Sequence, residues 1–127
     1  MGSATILMIE DNTINMKLFS VMLESAGYSV LWAENAEEGI PLIEREMPNL
    51  ILMDIGLPGM DGLEATRRLK GNPQTASIPI IAVTAHSLQS DREEAIRAGC
   101  TEYIAKPVRM NHFLDTIAGV LAPRLKA

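Results

Sequence analysis

Short apolar runs recur along the chain, each followed by a stretch whose hydrophobic positions fall at helical spacing. Thr5–Ile9, Leu50–Met53 and Ile78–Thr84 are apolar almost throughout, as strands are when helices cover both faces of a parallel sheet. Tyr28–Ala33 has mixed polarity and reads as a strand nearer an edge, and Glu102–Ala105 is a short fifth strand. Asn12 is a plausible cap for a first helix. Its stripe is Ile14, Leu18, Met22 and Ala26, with Phe19 and Leu23 beside them, and Gly27 stands where a left-handed terminating residue belongs. Asn35 caps a second helix running towards Met47, in which Pro41 predicts a late start or a kink. Leu63–Lys70 is a third, closed by Gly71-Asn72-Pro73, and about Leu88 to Ala98 a fourth, stopped by Gly99. Met110, Leu114, Ile117 and Leu121 mark the last, which Pro123 ends. Strict alternation of five strands with five helices implies parallel pairing through right-handed crossovers. The fold class is therefore α/β, a doubly wound three-layer sheet with helices on both faces.

That topology puts the carboxyl ends of strands one, three, four and five at one edge, where open α/β sheets bind ligands. The edge presents Glu10-Asp11, Asp54, Thr84 and Lys106. Singly, each has a plain reading: Asp54 as a capping aspartate, Thr84 as a strand former, Lys106 as a solvated lysine. Together they make a chemical site. Clustered carboxylates repel, which favours a shifted pKa or a bound cation. Oxygen donors without His or Cys suit a hard ion, Mg²⁺ before Zn²⁺. A lysine and a hydroxyl suit phosphoryl oxygens, and an aspartate can itself be the nucleophile, giving an aspartyl phosphate. The set reads as metal-assisted phosphoryl transfer onto a carboxylate.

Composition narrows the setting. At 127 residues the chain is one domain, taken as residues 4–121, with 1–3 as a remnant of cloning and 122–127 as a tail. A net charge of −5 argues against a nucleic-acid surface. No apolar run approaches the roughly 20 residues that span a bilayer, and no export signal is present, so no membrane role is expected. The single cysteine, Cys100, has no disulfide partner, which favours the cytoplasm; it reads as a small packed side chain. His86 and His112 are too few and too far apart for a metal site, and Trp32 reads as packed at the sheet edge.

The motifs Glu10-Asp11, Asp54-Ile55-Gly56-Leu57-Pro58-Gly59-Met60-Asp61-Gly62, Val83-Thr84-Ala85 and Lys106-Pro107 stand in order. Their combination resembles the receiver domain of two-component response regulators, over nearly the whole chain. Glu10-Asp11-Asn12 with Asn15–Phe19, and His112-Phe113-Leu114, look most like single-domain receivers of the DivK kind. The resemblance implies a flavodoxin-like sheet of order 2-1-3-4-5. It implies Asp54 as phosphoacceptor and a Mg²⁺ site of Asp11 directly, Glu10 mainly through water, Asp54 and the backbone carbonyl of Gly56. Thr84 would hydrogen-bond the phosphoryl group, Lys106 would pair with it, and Lys106-Pro107 would be cis. Tyr103 matches the aromatic that swings inward when the hydroxyl of Thr84 moves. Gly56 and His86, two residues past the acceptor and the hydroxyl, would flank the path of the water that removes the phosphoryl group.

What the resemblance implies is a signalling switch and not an enzyme in the ordinary sense. Its partner would be a histidine kinase or histidine phosphotransfer protein, its output surface the fourth helix, fifth strand and fifth helix. A receiver excised from a hybrid histidine kinase, serving as a phosphorelay intermediate, is the alternative. Other classes fit less well. A flavin carrier of this topology would need a phosphate-binding loop where Glu10-Asp11 would repel phosphate. A dehalogenase-type phosphatase would need an aspartate at Gly56. A pseudo-receiver would usually have lost one of the five site residues, and none is missing.

Overall fold

The computed structural model describes residues 4–55, 61–85 and 89–125, with 123–125 described by backbone alone. Its elements run β1 (Thr5–Ile9), α1 (Thr13–Ser25), β2 (Ser29–Ala33), α2 (Ala36–Glu46), β3 (Leu50–Met53), α3 (Gly62–Gly71), β4 (Ile80–Thr84), α4 (Gln89–Ala98), β5 (Glu102–Ala105) and α5 (Met110–Leu125). The strands form one sheet of order β2-β1-β3-β4-β5 with every pair parallel. This is the flavodoxin-like topology, with the mixed-polarity β2 at one edge. Residues of β3 and β4 are buried throughout, as their unbroken apolar runs require.

Strand alternation divides the interior in two. Leu7, Ile9, Ile51, Met53, Ile80, Ala82 and Tyr103 face one core, closed by α2, α3 and α4 through Ile43, Leu69 and Ala95. Ile6, Met8, Leu50, Leu52, Ile81, Val83 and Ile104 face the other, closed by α1 and α5. There Phe19 and Phe113 stack with ring centroids 5.5 Å apart.

Helix α1 differs from its sequence pattern. Phe19, Met22 and Leu23 are buried, whereas Ile14, at 77 % exposure, Leu18 and Val21 face solvent, as does Ala26. The helix is apolar on two sides, so spacing alone could not tell which side turns inward; the Phe19–Phe113 stack fixes it. Its end follows the expected chemistry. Gly27, at φ 93°, lets its own N–H reach the Glu24 carbonyl and that of Tyr28 reach Leu23, closing a Schellman motif.

The late start expected at Pro41 and the stop expected at Pro123 are not seen. Helix α2 starts directly after Asn35, whose side chain accepts the Glu38 N–H at 2.8 Å, and continues through Pro41 without interruption. Pro41 lies on the exposed side, where water can replace a lost backbone hydrogen bond. Helix α5 continues past Pro123 to Leu125, so residues 122–125, expected in a tail, belong to it. Strand β4 starts at Ile80, after Pro79, because a proline cannot donate to the ladder.

Candidate functional site

The four chain segments converge at the carboxyl edge of the sheet. Glu10 and Asp11 follow β1, Asp54 follows β3, Thr84 ends β4 and Lys106 follows β5. One carboxylate oxygen from each of Glu10, Asp11 and Asp54 lies within 4.8 Å of the others. Adjacent parallel strands bring them together: Ile9 pairs with Met53, so the next residues, Glu10 and Asp54, emerge side by side.

Glu10 is only 2 % exposed, and its polar groups are engaged. Its N–H donates to the Ala33 carbonyl at 3.0 Å. Oε2 accepts the Asn12 N–H at 3.1 Å, and Oε1 accepts from Lys106 Nζ at 3.0 Å. Lys106 Nζ also reaches Asp54 Oδ2 at 3.3 Å. One ammonium thus serves two nearly buried carboxylates, with Asp11 beside them in solvent.

The electrostatics follow from that count. Burial pushes the Glu10 carboxyl up, and the charge of Asp54 adds to it; the hydrogen bonds from Lys106 and Asn12 reverse this only in part. Burial disfavours the Lys106 ammonium, but the bonds and charges of Glu10 and Asp54 outweigh it and raise its pKa. Three carboxylates against one lysine leave an excess of negative charge that a divalent ion would neutralise. All the side-chain donors are oxygens, so the set fits Mg²⁺. Both Glu10 oxygens already accept hydrogen bonds, from the Asn12 N–H and Lys106 Nζ.

Thr84 is buried, and its carbonyl accepts the Lys106 N–H at 2.8 Å. Lys106-Pro107 is cis, as the resemblance implies. Tyr103 pairs with Ala82 and Ala105 with Thr84, so Tyr103 and Thr84 share a sheet face as diagonal neighbours. The Tyr103 ring is already inside, 8 % exposed, and its hydroxyl has no partner among the described residues. Burial, then Asp91, raises the pKa of that phenol, against the opposing charge of Arg92. Gly56, expected to lend a carbonyl to the metal, and His86, expected beside the water path, lie outside the described residues.

Two residues contribute more than their sequence reading allowed. Gly62 opens α3 with its backbone against that of Asp54: a Cβ there would stand 2.5 Å from the Asp54 carbonyl oxygen and 2.7 Å from Ile55 Cα. Its place in a glycine-rich loop hinted at such an approach. Trp32, read as edge packing, donates its indole N–H to the Glu10 carbonyl at 2.8 Å, which no local motif signals.

Comparison with known proteins agrees with this geometry. Residues 6–118 match the response regulator receiver domain family. The chain is 41 % identical over 117 residues to the polar-differentiation response regulator DivK of Brucella anthropi, covering 92 % of this chain and 95 % of that protein. The DivK of Brucella ovis is 40 % identical over the same length. Among solved structures, the receiver domain of a Pseudomonas aeruginosa sensor histidine kinase superposes with TM-score 0.88 at 35 % identity, over 95 % of this chain and 99 % of that one. That structure holds a magnesium ion coordinated in its active-site cleft. A CheY-like receiver domain protein from Methanospirillum hungatei superposes with TM-score 0.90 at 32 % identity, over 98 % of each chain. With the acidic cluster, the lysine and the sheet order all in place, the chain belongs to the response regulator receiver family, whose members act as signalling switches in two-component systems.

Proposed function

We propose that the chain accepts a phosphoryl group on Asp54 from a phosphohistidine protein, in a Mg²⁺-dependent reaction. The observation that carries this is Lys106 Nζ held between Glu10 Oε1 and Asp54 Oδ2, at 3.0 and 3.3 Å, beside a third carboxylate. An Asp54 carboxylate oxygen would form the new bond to phosphorus while the bond from the histidine nitrogen breaks, and that nitrogen keeps the electron pair. Lys106 would exchange its contact with the carboxylate for one with a phosphoryl oxygen, and Thr84 would donate its hydroxyl to another. Asp11, Glu10, Asp54 and the Gly56 carbonyl would hold Mg²⁺, which would supply positive charge to offset that of the carboxylates and the phosphoryl group.

The donor would be a histidine kinase or histidine phosphotransfer protein approaching over α1. The exposed apolar stripe of Ile14, Leu18 and Val21 begins three residues after Asp11, and such a stripe beside a reactive edge suits a protein partner. Output would pass through Thr84 and Tyr103 to the surface of α4, β5 and α5. The free, buried Cys100 fits a reducing cytoplasm, where we place the chain.

Incubation with acetyl phosphate and Mg²⁺ should add one phosphoryl mass to the intact protein. EDTA or Asp54→Asn should abolish the gain. Full labelling of Asp54→Asn would overturn the assignment.

A further inference from the structure

Trp32 lies on the edge strand, away from the motifs that define the site, yet its indole is bonded to the site's backbone. Beyond Ala33 the chain leaves β2 and Asn35 becomes the cap of α2. A continued parallel ladder would offer the Glu10 carbonyl a backbone N–H from residue 35. The donor that meets it here is Trp32 Nε1, at 2.8 Å. The Glu10 N–H is already tied to the Ala33 carbonyl at 3.0 Å. Both backbone polar groups of Glu10 are therefore fixed by β2. A bond to the Glu10 carbonyl also fixes the plane of the Glu10–Asp11 peptide, because that peptide is rigid. The direction in which Asp11 leaves the sheet follows from that plane. Trp32 also borders an open groove of about 450 Å³ formed with Glu38, Pro41, Leu42 and Arg45.

We infer that Trp32 is a positioning residue, whose indole N–H holds the Glu10–Asp11 peptide in the orientation that binds the divalent ion. The inference rests on the reading of the acidic cluster as the Mg²⁺ site. It predicts that the bond acts on ion affinity and not on the transfer step itself. Trp32 is the only tryptophan, so tryptophan fluorescence reports on this residue alone.

The test replaces Trp32 with benzothienylalanine, an isostere that keeps the ring and lacks the N–H, with Trp32→Phe as the genetically encoded counterpart. Mg²⁺ affinity is measured by calorimetry for both, the wild type and Asp11→Asn. Loss of one neutral hydrogen bond should weaken Mg²⁺ binding about threefold to tenfold. Labelling by acetyl phosphate should slow in proportion at low Mg²⁺ and return to the wild-type rate at saturation, a split that a general loss of structure would not give. In the wild type, Mg²⁺ should change the Trp32 emission, and Asp11→Asn should remove that change. Affinity lowered by Asp11→Asn and untouched in the isostere would overturn this inference alone. Affinity indifferent to both would overturn the reading of the metal site as well.

Discussion

Replacing Asp11 with Asn should invert the stability order of two proteins when Mg²⁺ is added. Asp11 is exposed and makes no ion pair among the described residues, while its carboxylate lies within 4.8 Å of those of Glu10 and Asp54. Two unit charges at that separation repel by about 0.9 kcal/mol in water and about 3.5 kcal/mol at an effective dielectric of 20. Solvent at Asp11 and the attraction of Lys106 hold the net to the low end, so Asp11→Asn should stabilise the metal-free fold by about 1 kcal/mol. The unfolding entropy of a 127-residue chain, at about 2.1 cal/mol/K per residue, is roughly 0.27 kcal/mol/K. The variant should then melt about 4 °C above the wild type in EDTA. An ion that binds only the folded state adds about 2.7 kcal/mol at a hundredfold excess over its dissociation constant, or about 10 °C for the wild type. The variant, lacking the direct ligand, should gain far less, and the two melting curves should cross as Mg²⁺ rises. Differential scanning calorimetry across a Mg²⁺ series reads both effects. Equal melting in EDTA, or parallel rises with Mg²⁺, would refute the reasoning.

Further outcomes follow from other parts of the molecule. Gly62→Ala would force a Cβ to within 2.5 Å of the Asp54 carbonyl, so it should destabilise by about 1–3 kcal/mol in urea titration and slow acetyl phosphate labelling. Burial raises the pKa of Cys100, which keeps its proton longer folded than unfolded. Its contribution is full below the ordinary thiol pKa and lost as pH rises through the folded value, so alkaline titration should cost the wild type more stability than Cys100→Ala. Beryllofluoride, standing in for the phosphoryl group on Asp54, should shift amide resonances across Gln89–Ala98 and Glu102–Ala105; shifts confined to the Asp54 loop would leave a phosphate acceptor without a switch.

What was legible in the sequence was what depends on period and punctuation. Strands buried on both faces announce themselves as unbroken apolar runs, and Asn12, Gly27 and Asn35 end or begin helices by chemistry confined to a few neighbours. The site residues could be placed at one edge because alternation of elements fixes the sheet before any contact is known. Interactions that join distant segments left no such trace. The inward face of α1 is decided by Phe113, far along the chain, and the spacing of Ile14 and Leu18 obeys the helical period whether that face is wet or dry. Pro41 and Pro123 sit in helices because tertiary packing can outweigh a lost backbone bond at an exposed side or a last turn. The bond from Trp32 to Glu10 spans 22 residues and involves a carbonyl, a group every residue carries. The acidic cluster was readable because its chemistry lies in side chains of unusual type. The hydrogen bond beneath it was not, because it joins the Glu10 backbone carbonyl to an edge-strand indole.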